Sequence, residues 1–400
     1  MYKFSTIRQF VIWMLFTAIL IQIVFSFPQV CFAEGIPDEL YSQSAVLMDG
    51  KTGRVLYEKD GFTIKPMAST TKIMTCLLAV ESQKLDRVLT VSSYAASQPD
   101  VQLNIKEGEQ YILGDMLYSL MLESHNDTAV AIAEFVGSSV EGFAEMMNQR
   151  AKEMGAMQTY FISPNGLDEE DIHGIHSTTA YDLALIMSYA VKNEQFIKIC
   201  QTQSFSFEDV NKTRSFQVHN KNAFLNQMPG VLAGKTGFTN KAGYCYVCAM
   251  ENDGRLYIVA LLACGWPGHK NYKWQDTRKL LNYGMEAFVN KEWSEPKARD
   301  NFFVKCKGAK TENWNQEAFI EGKVTDGFLN TLLVPKEAVM SVKVEKKEFL
   351  TAPVKENQKI AKIIYKVNNE IYKEIPVLAA KGAEAIDYFW CVKQLLKVYF

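Results

Sequence analysis

The sequence predicts an α/β chain of the α+β kind: a first domain joining a sheet to a helical block, then a small all-β domain. Three observations predict it. Strand-like runs stand near both ends of the first 290 residues, helical periodicity fills the stretch between them, and short β-type segments take over after residue 295. At 400 residues the chain is long enough for two or three domains. With 48% hydrophobic and 22% charged residues it has the make-up of an ordinary globular protein. A formal charge of −2 and the lack of a polybasic block give no reason to expect a nucleic-acid partner.

The first 33 residues stand apart. Lys3 and Arg8 precede an apolar run from Phe10 to Phe27, interrupted only by Thr17, Gln22 and Ser26. Pro28 and Cys31-Phe32-Ala33 follow, with small residues flanking Phe32. A charged region, an apolar region and a cleavage site after Ala33 make a secretory signal peptide over 1–33, and the expectation is an exported protein. The competing reading is an uncleaved anchor, since the run approaches the length of a short membrane span.

Residues 34–290 form the first domain. Ala45-Val46-Leu47-Met48 and Arg54-Val55-Leu56-Tyr57 flank Asp49-Gly50-Lys51-Thr52-Gly53, which reads as a hairpin. Helices are expected over 69–83, 115–122 and 127–136, the last with Asp127 as its N-cap. Another runs from Glu141 to Met154 with Gly155 as C-cap, and a further one from Ser177 to about Val191. Phe205–Phe216, Tyr244–Met250 and Leu256–Ala263 have strand character, and Trp274–Phe288 returns to a helix. The first and last strands could share one sheet. The all-β domain covers 295–385, with strands at 341–344, 362–367 and 371–378. The tail, 387–400, would as a helix align Phe389, Val392, Leu395, Leu396 and Tyr399 against Lys393 and Lys397, which suits interfacial attachment to a membrane or docking on the β domain.

Eight cysteines occur, seven of them beyond the signal, and the odd number argues against a full disulfide framework. Cys245 and Cys248 would point to opposite faces of a strand, so neither a shared metal nor a bridge is expected there. Cysteines are read as structural, and neither a metal site nor a cofactor is expected.

Ser69-Thr70-Thr71-Lys72 opens the first helix and puts a hydroxyl and an amine three residues apart on one face. A serine becomes a nucleophile when a neighbouring amine of depressed pKa takes its proton. Ser124-His125-Asn126 falls between two helices, and Lys235-Thr236-Gly237 leads toward the strand Tyr244–Met250. A second Lys-Thr-Gly at 51–53 sits in the hairpin turn and needs no catalytic explanation. Acyl transfer requires a nucleophile, a base, oxyanion donors and a grip on the substrate. Ser69 supplies the first and Lys72 the second, with burial and the charge of Lys235 lowering its pKa. Ser124 would relay the proton from Lys72 to the leaving nitrogen, and Asn126 would bond both Lys72 and a substrate amide. Lys235 and Thr236 would hold a terminal carboxylate, Gly237 would admit the substrate backbone, and the N–H groups of Ser69 and Phe238 would form the oxyanion hole.

This ordered set resembles the active-site serine penicillin-recognising enzymes, and within them the low-molecular-mass penicillin-binding proteins that are D-alanyl-D-alanine carboxypeptidases. The resemblance spans residues 40–290. It extends to Pro66-Met67-Ala68, Asn126-Asp127, Pro164-Asn165-Gly166-Leu167, His176-Ser177-Thr178, Gly237-Phe238-Thr239 and Ala242-Gly243-Tyr244. It implies a β-lactamase/transpeptidase-like fold and removal of the terminal D-alanine from peptidoglycan stem pentapeptides through an acyl-enzyme. It also implies acylation by β-lactam antibiotics, and attachment at the outer face of the cell membrane. Two residues depart from the pattern: His125 stands where a small residue is usual, and Ala233-Gly234 where a bulkier apolar residue commonly precedes the lysine. A class A β-lactamase shares the three motifs but carries a Glu-x-x-x-Asn element, and Tyr160–Gly166 holds Asn165 without the glutamate. A third alternative keeps the fold as a non-enzymatic penicillin-binding or wall-sensing protein.

Overall fold

The computed structural model describes residues 35–37, 39–293, 302–324 and 330–399. The signal peptide expected at 1–33 and the boundary expected at Glu295 lie outside the described residues. The chain divides into two compact units, one ending at Phe288 and the other beginning at Val289.

The first unit is built on a five-stranded antiparallel sheet of β1 (Ser44–Asp49), β2 (Val55–Lys59), β3 (Val231–Thr239), β4 (Gly243–Asn252) and β5 (Arg255–Leu262). Its order is β3-β4-β5-β1-β2, and Ser44 pairs with Leu262, so the two ends of the unit do share one sheet. All six residues of β1 are buried, because helices cover both faces. Gly284 of the last helix lies against Leu47 and Tyr257, while Val46, Met48, Ile258 and Ala260 on the other face join the core of the helical block. In the first hairpin Asp49 accepts the Lys51 N–H and the Thr52 hydroxyl, so the Lys-Thr-Gly copy at 51–53 is a satisfied turn.

The helical block comprises α1 (Lys72–Glu81), α2 (Leu113–Tyr118), α3 (Asn126–Gly137), α4 (Val140–Met154), α5 (Ala180–Ala190), α6 (Glu194–Gln201) and, behind the sheet, α7 (Tyr272–Ala287). Every residue of α1 from Lys72 to Val80 is buried, which makes it the helix around which the others pack. Gly155 caps α4, its N–H bonding to Ala151 and Lys152 carbonyls.

Some elements differ from expectation. Ser177 and Thr178 pair with Pro66 and Lys65, so α5 starts three residues late, capped by the Thr179 hydroxyl. Asp127 is not a cap: it sits inside the first turn of α3 and accepts the Leu103 and Ile105 N–H groups. The run 205–216 is a hairpin of Ser204–Glu208 with Ser215–His219. Lys235-Thr236-Gly237 lies in the middle of edge strand β3, not in a loop leading to β4. Gly234 and Gly237 break the alternation that would have marked β3 as a strand.

The second unit holds a six-stranded sheet. Its order is Met340–Lys346, Lys359–Val367, Glu370–Ala379, Ala318–Lys323, Phe302–Lys307 and Phe349–Thr351, over a core that includes Ile320, Val334, Ile363 and Val377. The terminal helix α8 (Tyr388–Tyr399) docks one side on this unit: Trp390 Nε1 and Gln394 Nε2 donate to the carbonyls of Thr311 and Glu312. Its other side leaves Phe389 81% and Val398 75% exposed. Among the described residues, no helix is long and apolar enough to cross a membrane.

Candidate active site

Ser69 occupies a 3₁₀ turn, Ala68–Thr71, that runs directly into α1. The turn is shaped from outside. Gly166 adopts φ +84°, and a Cβ there would come within 2.1 Å of the Ala68 carbonyl oxygen, so only glycine lets the 164–167 loop close over the turn. Thr71 Oγ1 donates to the Ala68 carbonyl and lies 2.7 Å from His176 Nε2. The Ile162 N–H donates to His176 Nδ1, which fixes a neutral ring with its proton on Nε2, facing Thr71. Burial holds the His176 pKa down to about 3.

Lys72 begins α1 with its amine sealed from water. Its Nζ is 3.0 Å from Ser69 Oγ, 2.8 Å from Asn126 Oδ1 and 2.6 Å from the Asn165 carbonyl. Desolvation, followed by the charge of Lys235, pushes its pKa well below the ordinary lysine value. A neutral Lys72 keeps two N–H donors for Asn126 and Asn165 and turns its lone pair toward the Ser69 hydroxyl. Asn126 is itself held from behind, since its Nδ2 donates to the carbonyls of Pro99 and Asp100 at 3.0 Å each. Its free capacity is therefore an acceptor on Oδ1.

Ser124 terminates a π-helical turn, Ser119–Glu123, in a left-handed conformation with φ +74°. Its Oγ accepts a bond from Lys235 Nζ at 2.8 Å. The expected Lys72–Ser124 contact is replaced at rest by this one. Lys235 also donates to the Thr236 carbonyl at 2.9 Å, and burial lowers its pKa to about 7. Gly237 brings β3 against Ser69: a Cβ there would meet the Ser69 nitrogen at 2.9 Å. Ser69, Ser124, Lys235, Thr236, Gly237 and Phe238 line one cleft of about 580 Å³, beside Tyr244 and Trp274. His125 is not in it. Its imidazole is buried behind Ser124, with Nδ1 2.8 Å from Ser119 Oγ.

The structure thus brings together Ser69, Lys72, Ser124, Asn126, Lys235, Thr236, Gly237 and Phe238, leaves His125 behind Ser124, and adds the Asn165 carbonyl and the His176–Thr71 pair. Pro164-Asn165-Gly166-Leu167 and His176 stood out in the sequence only as similar stretches. Their roles rest on a backbone carbonyl and a buried ring, neither of which has a motif of its own. Among the described residues no group of three or more His, Cys, Asp or Glu side chains is placed to hold a metal ion. The seven cysteines described are free thiols, all buried but the half-buried Cys391.

A buried amine beside a serine, at the edge of a sheet, is the arrangement of the penicillin-recognising serine hydrolases. The chain belongs to the D-alanyl-D-alanine carboxypeptidase family, whose model matches residues 32–264. Residues 313–385 match the penicillin-binding protein 5 C-terminal domain. The D-alanyl-D-alanine carboxypeptidase DacF of Bacillus subtilis is 30% identical over 362 residues, covering 89% of each chain. Penicillin binding protein 5 from Haemophilus influenzae shares the fold with a TM-score of 0.70 at 22% identity, covering 87% of this chain and 99% of that one. A Streptomyces DD-transpeptidase mutant superposes with a TM-score of 0.57 at 29% identity, over 62% of this chain and 99% of that one. The chain is a serine-type D-Ala-D-Ala carboxypeptidase that acts on peptidoglycan.

Proposed function

We propose that Ser69 attacks the D-Ala-D-Ala carbonyl of peptidoglycan stem pentapeptides, releases the terminal D-alanine and carries the acyl-enzyme until water removes it. The observation that supports this best is the Lys72 amine, 3.0 Å from Ser69 Oγ and wrapped by two amide oxygens. Lys72 takes the Ser69 proton as the new C–O bond forms, and the N–H groups of Ser69 and Phe238 receive the oxyanion. Ser124 passes the proton to the leaving nitrogen as the C–N bond breaks, and Lys235 with Thr236 holds the terminal carboxylate. β-Lactams acylate the same hydroxyl. None of the Lys72 partners is a carboxylate, which favours a carboxypeptidase over a lactamase that would activate water with glutamate.

The same reading takes the protein to the extracytoplasmic face of the membrane. The segment 1–33 serves as its export signal, and α8 as an interfacial anchor whose exposed side carries Phe389, Leu395, Leu396 and Val398. The deciding assay is D-alanine release from a pentapeptide, with and without an added amine. One D-alanine per peptide with little amine transfer supports the proposal, while dominant transfer to the amine identifies a transpeptidase. Absence of release refutes the catalytic reading altogether.

A further inference from the structure

His125 is the residue of the second motif that the chemistry above leaves without a task. Its surroundings assign it one. The π turn Ser119–Glu123 and the left-handed Ser124 form an irregular stretch in which the backbone does not hold itself by ordinary helical bonds. The His125 side chain reaches back across that stretch. Nδ1 lies 2.8 Å from Ser119 Oγ, which is in turn 3.0 Å from Thr128 Oγ1 in the first turn of α3. Nε2 lies 3.5 Å from one carboxylate oxygen of Glu123. The other oxygen of Glu123 accepts the His219 N–H at 2.8 Å and faces Lys221 Nζ at 3.5 Å. The Lys221 N–H closes the connection by donating to the Leu122 carbonyl at 3.0 Å.

The imidazole is therefore the centre of a strut. It ties the start of the π turn to its end and, through Glu123, to His219 and Lys221, where residues 221–223 line one side of the cleft. Ser124 Oγ points away from this strut, toward Lys235. A glycine at 125 would leave the buried Ser119 hydroxyl with Thr128 alone and the inner oxygen of Glu123 without this partner.

We infer that His125 is a positioning residue for the acylation reaction: it fixes the turn that presents Ser124 to Lys235 and the leaving nitrogen. The inference rests on the proton-transfer role given to Ser124 above. Positional tolerance in such a relay is a fraction of an ångström, so loosening the turn slows chemistry more than binding.

The test uses the full-length chain and a diacyl-D-Ala-D-Ala peptide. His125→Leu fills the volume but removes both polar contacts, whereas His125→Asn keeps an acceptor at the place of Nδ1. The expected result is a kcat about tenfold lower for His125→Leu, with KM within twofold, and recovery by His125→Asn to within about threefold of wild type. Unchanged kcat in His125→Leu, which a purely space-filling role would give, overturns the inference, as does an equal loss in both variants. Should His125→Leu not fold, Ser119→Ala cuts the strut at its other end, with about a threefold fall in kcat expected and none contradicting it. Ser124→Ala, run alongside, separates the two levels. Full activity there removes the relay itself, while lost activity there with an unaffected His125→Leu removes only the strut.

Discussion

Lys72 Nζ and Ser69 Oγ stand 3.0 Å apart at the junction of a 3₁₀ turn and a helix buried from Lys72 to Val80. The amine spends its other bonds on Asn126 Oδ1 and the Asn165 carbonyl, and no water-exposed group competes for it. Burial makes the ammonium form costly and lowers the pKa, which suits the base role proposed for Lys72.

The first prediction concerns pH. In the proposed mechanism Lys72 accepts the Ser69 proton only when unprotonated, so kcat/KM should fall on the acid side as its depressed pKa is crossed. The carboxylate grip proposed for Lys235 needs its charge, which is lost as pH rises through about 7. A carboxylate-ended peptide should give a bell-shaped profile, and its methyl amide should show a weaker alkaline decline. An alkaline limb of equal depth for both would separate Lys235 from carboxylate recognition.

His176 gives a stability prediction. The folded ring stays neutral down to about pH 3, while the unfolded chain protonates it near 6.5. Between those values the unfolded state binds more protons, so stability falls as pH falls, on the order of 5 kcal/mol across the window. Denaturant titrations from pH 7 to 4 should show a steeper loss for wild type than for His176→Asn. Parallel slopes would contradict the assignment.

Gly166→Ala should cost several kcal/mol and most of the activity. The added methyl meets the Ala68 carbonyl oxygen at 2.1 Å, and the residue sits at φ +84°. The consequence reaches Ser69 because Ala68 is its neighbour in the turn. A variant with unchanged Tm and acylation rate would show that the 164–167 loop does not set the turn.

The legibility of the chain in its sequence was uneven, for physical reasons. The roles proposed for Ser69 with Lys72, Ser124 with Asn126, and Lys235 with Thr236 belong to side chains at fixed short spacings, and the structure gathers these residues in one place. Asn165 contributes through its backbone, and His176 through burial, so neither has a spacing that reports the role. Strand β3 was hidden by its own glycines, the very residues that let it approach Ser69 and Asn222. Asp127 had the composition of a cap but is used to hold residues 103–105. His125 stood out by its size, and only its contacts with Ser119 and Glu123 give that size a purpose.

The tail is testable on the whole protein. α8 spends Trp390 and Gln394 on docking and leaves Phe389, Leu395, Leu396 and Val398 outward. Ending the chain at Ile386 should abolish sedimentation with phosphatidylcholine–phosphatidylglycerol vesicles while leaving D-alanine release within twofold. Retained sedimentation would place membrane binding elsewhere.

The most direct measurement is the mass of the intact protein after brief exposure to penicillin, followed by mapping of the modified peptide. One penicilloyl adduct on the peptide containing Ser69, absent from Ser69→Ala and slowed by at least 100-fold in Lys72→Ala, is the predicted result. An adduct that persists in Ser69→Ala, or forms at the wild-type rate without the Lys72 amine, would contradict the account.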